Sequence, residues 1–81
     1  MTLQHGCRSE YGPLELRIQA GESENGFQVY VEDPRVDPRV VYEQVVRSTL
    51  ESAKEYVALR AHEYLTSYAE AVRHQADWRC S

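Results

Sequence analysis

No glycine or proline follows Pro38 in this chain, and all four glycines and all three prolines lie at or before it. Gly and Pro are the strongest punctuators of local structure, so the front of the chain must turn repeatedly while the remainder is free to run as one element. The boundary is a tandem, Asp33-Pro34-Arg35-Val36 followed by Asp37-Pro38-Arg39-Val40. Proline lacks a ladder donor and pushes its predecessor out of the α region. Residues 33–37 therefore read as a corner, with Asp37 as a helix N-cap and Pro38 as the first helical residue.

Beyond the corner, apolar and aromatic residues recur at Tyr42, Val46, Ala53, Tyr56, Val57, Ala61, Tyr64, Leu65, Tyr68 and Val72. The spacing is close to the helical repeat of about 3.6 and predicts a long amphipathic helix over 38–79. The repeat runs slightly slower than ideal, so the stripe drifts around the helix. Either the helix is continuous and its partner surface winds with it, or it breaks near 59–62. The absence of a breaker residue favours continuity.

Ahead of the corner, Leu14, Leu16, Ile18 and Ala20 alternate with polar residues, as do Phe27, Val29 and Val31. Between them lies Gly21-Glu22-Ser23-Glu24-Asn25-Gly26, a run of turn formers. This predicts an antiparallel β-hairpin over 13–32 with one apolar face. Residues 1–12 fit either a loose tail or a short edge strand in which Leu3, His5 and Cys7 alternate. The fold class expected is α+β: a single small domain with a β-hairpin leading into one long helix.

A helix over 38–79 would be roughly 60 Å long, whereas seven-residue strands reach only about 23 Å. The uncovered stripe needs another surface, because soluble monomers rarely expose a long apolar patch. The expectation is a homodimer or higher oligomer with Tyr42, Val46, Ala53, Tyr56, Val57, Tyr64, Leu65, Tyr68 and Val72 at its interface, and with hairpins pairing across a two-fold into a larger sheet.

Charge narrows the partners. Thirteen acids against nine Lys and Arg give a net charge of −4. Neither half forms a basic patch, so neither nucleic acid nor a membrane surface is an expected partner, and a nucleic-acid-linked regulator is disfavoured. The opening residues have no apolar signal core, which gives an expectation of a cytoplasmic protein. Cys7 and Cys80 are then read as free thiols rather than a disulfide.

The residues with chemical interest cluster on the helix. Tyr56, Arg60, Tyr64 and Tyr68 follow at spacings of four, with His62 nearby. A guanidinium between phenols could hold a small ligand or anion between subunits. The same residues suit a protein interface, where Arg and Tyr are enriched. Glu70 and His74 could share a metal, but no third ligand is evident and no metal or cofactor is expected. Cys7 beside His5 lacks an acid or an oxyanion donor, and Ser48, Ser52 and Ser67 lack a nucleophile elbow. The leading expectation is a non-enzymatic protein-interaction or assembly module, with an unidentified protein as a second partner.

Overall fold

A computed structural model describes residues 6–20, 26–70 and 72–80. Among these residues the strands are β1 (Gly6–Tyr11), β2 (Leu14–Ala20), β3 (Phe27–Glu32), β4 (Val40–Val46) and β5 (Arg79–Cys80), with one helix, α1 (Leu50–Ser67). They form an antiparallel five-stranded sheet in the order β4-β3-β2-β1-β5, with α1 packed across one face. The α+β class stands, but the hairpin is part of a larger sheet. The β2–β3 pairing expected from alternation is present, with Leu16 opposite Val31 and Ile18 opposite Val29. Residues 21–25 of its connection, and Leu3 and His5 of the edge-strand reading, lie outside the described residues.

Within the first twelve residues Gly6–Tyr11 form a strand, not at the edge of the sheet but between β2 and the short β5. Tyr11 and Leu14 pair directly, leaving Gly12-Pro13 as a two-residue loop. Gly12 sits at φ +59, the positive φ that such tight hairpins require at their first central position. A Cβ there would also lie 2.6 Å from His74 Nε2. Gly12→Ala is expected to destabilise the fold by about 1–2 kcal/mol, measurable by urea unfolding.

The single long helix over 38–79 does not form. Val40-Val41-Tyr42-Glu43-Gln44-Val45-Val46 is a strand, as its four valines favour. Tyr42 and Val46 lie four apart, which mimics a helical stripe, but they also share the period-two face of a strand. Asp37 and Pro38 do not cap a helix; their peptide bond is cis, within the loop before β4. The helix begins instead at Thr49, whose Oγ1 accepts from the Ser52 amide at 3.2 Å.

The helix runs unbroken through 59–62 and ends early, at Ser67. Glu70 N donates to Leu65 O and Ala69 N to Thr66 O, each at 2.9 Å, with Ala69 at φ +62. This is a Schellman end with alanine where glycine is usual, so nothing in composition marks it. Replacing Ala69 with glycine is expected to raise stability by about 0.5–1 kcal/mol, seen as a higher melting temperature.

The core is one layer between sheet and helix. Leu14, Leu16, Ile18, Val29 and Val31 meet Ala53, Val57, Ala61 and Leu65, all with 0–1 % exposure. An 18-residue helix is roughly 27 Å long and matches strands of about 23 Å. The length mismatch that called for an oligomer therefore disappears. Beyond α1 the chain returns along β1: Ser9 Oγ donates to Asp77 O at 2.9 Å, and β5 pairs with Cys7 and Arg8.

Cys7 and Cys80 sit directly opposite in that pairing and form a disulfide. The free-thiol expectation is thus overturned, because the strand register unites two residues 73 apart. Persistent disulfides belong to oxidising surroundings, whereas the free-thiol reading follows from a cytoplasmic expectation. Among the described residues no helix is long and apolar enough to cross a membrane.

Candidate functional site

The tyrosine–arginine constellation divides across the fold. Tyr56 and Arg60 lie on the flank of α1 that faces β4. There Tyr42 and Tyr56 hydroxyls are 2.8 Å apart, and Gln44 Oε1 accepts from both, at 3.0 Å from Tyr56. Arg60 donates to Tyr56 Oη through Nε and Nη2 at 3.2 and 3.0 Å, and to Glu63 through Nη1 at 2.9 Å. Its guanidinium also lies 5.3 and 5.1 Å from the Tyr42 and Tyr56 ring centres. The Tyr42 hydrogen bond and the Arg60 guanidinium lower the Tyr56 pKa, whereas burial raises that of Tyr42. Arg60 is thus engaged by groups of its own chain.

Tyr64 belongs to a second group at the Asp33 corner. Asp33 is 2 % exposed, yet its carboxylate accepts from the Arg35 amide, Nε and Nη2 at 3.0, 2.9 and 3.1 Å. Tyr64 Oη donates to it at 2.9 Å, and Arg35 Nη1 reaches Glu70 at 3.3 Å. The Arg35 hydrogen bonds hold the Asp33 pKa down to about 2, while burial and the Asp33 contact push Tyr64 to about 12. Tyr68 makes a tilted ring contact with Tyr64 but is 62 % exposed. This group ties the β3 end, at the corner expected over 33–37, to the helix.

The depressed Asp33 pKa gives a signed expectation. Its folded value lies below its unfolded value of 3.8, so the contribution is complete above about pH 4 and fades as pH falls toward 2. Asp33→Asn is expected to cost about 2–3 kcal/mol at neutral pH, because a buried acceptor set loses its charge. It should also flatten the acid limb of a stability–pH curve measured by thermal unfolding.

His62 faces the opposite flank, with Nδ1 2.8 Å from Tyr11 Oη, and Tyr11 also meets the ring of His74. Glu70 is bound to Arg35 and His74 lies against Tyr11 and Gly12, so the two do not share a site. Ala53, Val57 and Leu65 are buried against the chain's own sheet, whereas Val72 is 66 % exposed.

What remains open is the β4 edge. At the other edge, β5, the disulfide and the Ser9–Asp77 bond cover β1. Nothing among the described residues pairs with the outer side of β4, which is seven residues long. Its only charged residue is Glu43, it has no Lys or Pro, and Val40 and Val45 are 37 % and 46 % exposed. Natural edges are usually blunted by such charges or prolines. Comparison of the chain with protein-family models, curated proteins and solved structures gives no match.

Proposed function

We propose that the protein is a small non-enzymatic assembly module that forms a homodimer through the β4 edge. The observation that carries this reading is the asymmetry of the sheet: one edge is covered and covalently tied, while the other presents an unguarded valine-rich strand. A two-fold normal to the sheet at Gln44 would oppose Tyr42 to the partner's Val46 and Glu43 to the partner's Val45. No like charges meet in that register, whereas a two-fold at Glu43 would oppose two carboxylates. The same operation keeps both helices on one side and brings their Tyr56–Arg60 flanks to the seam, where Arg and Tyr suit an interface.

An inter-subunit anion site at Arg60 has less support, because Tyr56 and Glu63 already take its donors. The reading is tested by light scattering of the full chain over a dilution series. A mass of twice 9.4 kDa that dissociates on dilution is expected. A monomer persisting into the high micromolar range would contradict it.

A further inference from the structure

The open face of the sheet carries its charges in rows. Arg79, Arg8 and Arg17 are directly opposite one another on β5, β1 and β2, so their side chains leave the same face on neighbouring strands. The next row along is Glu10, Glu15 and Glu32 on β1, β2 and β3. Like charges directly opposite across strands destabilise a sheet. The glutamate row is relieved: Arg39 binds Glu15 at 2.8 Å and Glu32 at 3.0 Å, and Arg17 binds Glu32 at 3.1 Å. The arginine row is relieved only at Arg17, through that same pair with Glu32. Arg8 and Arg79 make no ion pair among the described residues. Arg17 lies 4.2 Å from the Tyr30 ring centre and keeps a buried Nε with no hydrogen-bond partner there.

On the side of the arginine row away from the glutamates lies a depression of about 340 Å³. Arg8, Arg17 and Arg79 line it together with Gln19 and Gly6, and no carboxylate among the described residues does. Neighbouring strands stand about 4.8 Å apart, so the three guanidinium stems span roughly 10 Å. Planar guanidinium forks match the oxygens of phosphate groups, and Gln19 adds a neutral donor.

We propose that this depression binds a small phosphate-type oxyanion through Arg8, Arg17 and Arg79. The anion supplies negative charge to Arg8 and Arg79, which make no ion pair among the described residues, beside an Arg17 that is already paired with Glu32. Arg17 is pre-positioned by Tyr30 and Glu32, and Arg79 is held in register by the Cys7–Cys80 bond.

Calorimetric titration of the oxidised full chain with inorganic phosphate and with pyrophosphate tests the site, with thermal melts alongside. Saturable binding is expected, tighter for pyrophosphate, which reaches more than one arginine. Arg8→Ala should weaken it by tenfold or more, and Arg79→Gln similarly, while Arg73→Ala outside the row leaves it unchanged. Without anion at low salt, Arg8→Ala should melt no lower than the parent, because it removes a like-charge neighbour. No saturable binding by the parent chain, or equal loss in Arg73→Ala, would overturn the proposal. Equal affinity for a tricarboxylate would also overturn it, since the site would then respond to charge alone.

Discussion

Cys80→Ser is expected to lower the unfolding free energy by about 2–4 kcal/mol, a large share of what a domain this small can hold. The bond joins residues 73 apart, so it closes nearly the whole chain into a loop and restricts the unfolded ensemble strongly. Its local effect acts in the same direction. β5 is only two residues long and meets β1 at Cys7 and Arg8, too little pairing to hold by itself. Cys80 is the better position to change, since Cys7 is 2 % exposed and its replacement would also disturb packing. Urea unfolding of the oxidised parent and the variant measures the difference. A change of less than about 0.5 kcal/mol would mean that Ser9–Asp77 and the packing of Trp78 secure the C-terminal segment without the bond.

Val45→Glu is expected to weaken the proposed dimer by on the order of tenfold or more while leaving the monomer fold intact. Val45 is 46 % exposed and points to the open face, opposite Gln28 rather than the core. The monomer should therefore change by no more than about 0.5 kcal/mol. Across the proposed two-fold, the new carboxylate would stand against the partner's Glu43, twice per dimer. Adding Glu43→Lys converts both oppositions into attractions and should restore association. Glu43 is exposed, and its hydrogen bond from Gln28 is a surface one, so the double variant should fold. Sedimentation of the parent, single and double variants reads the series directly. Weakening without rescue would place the seam in another register.

The parts of the fold legible from sequence were those governed by local periodicity over elements flanked by clear punctuation. Leu14, Leu16 and Ile18 announce β2, and Val29 and Val31 announce β3. Ala53, Val57, Ala61 and Leu65 announce the buried helix face. The failures each have a physical cause. Helical and strand spacing coincide at Tyr42 and Val46, and the β-branched content of 40–46 decides in favour of the strand. Ala69 adopts a left-handed conformation without being glycine, which hides the helix end. Early helix termination in turn releases residues 72–80 to return to β1, and only that return places Cys80 opposite Cys7 and Arg79 opposite Arg8.

The candidate sites follow the same division. The contact of Arg60 with Tyr56 is a spacing of four on one helix and could be read directly. Tyr42 joins them only because β4 packs beside α1, and Tyr64 separates from them because Asp33 lies beneath it. The arginine row could not be read at all, since its members come from both chain ends and meet only through strand register.

The central claim, pairing along β4, is tested most directly by amide hydrogen exchange as a function of protein concentration. The outward amides of Val40–Val46 are expected to gain protection as concentration rises, while β2 amides, already paired on both sides, stay unchanged. Dimerisation that leaves β4 exchanging as fast as in dilute solution would contradict it.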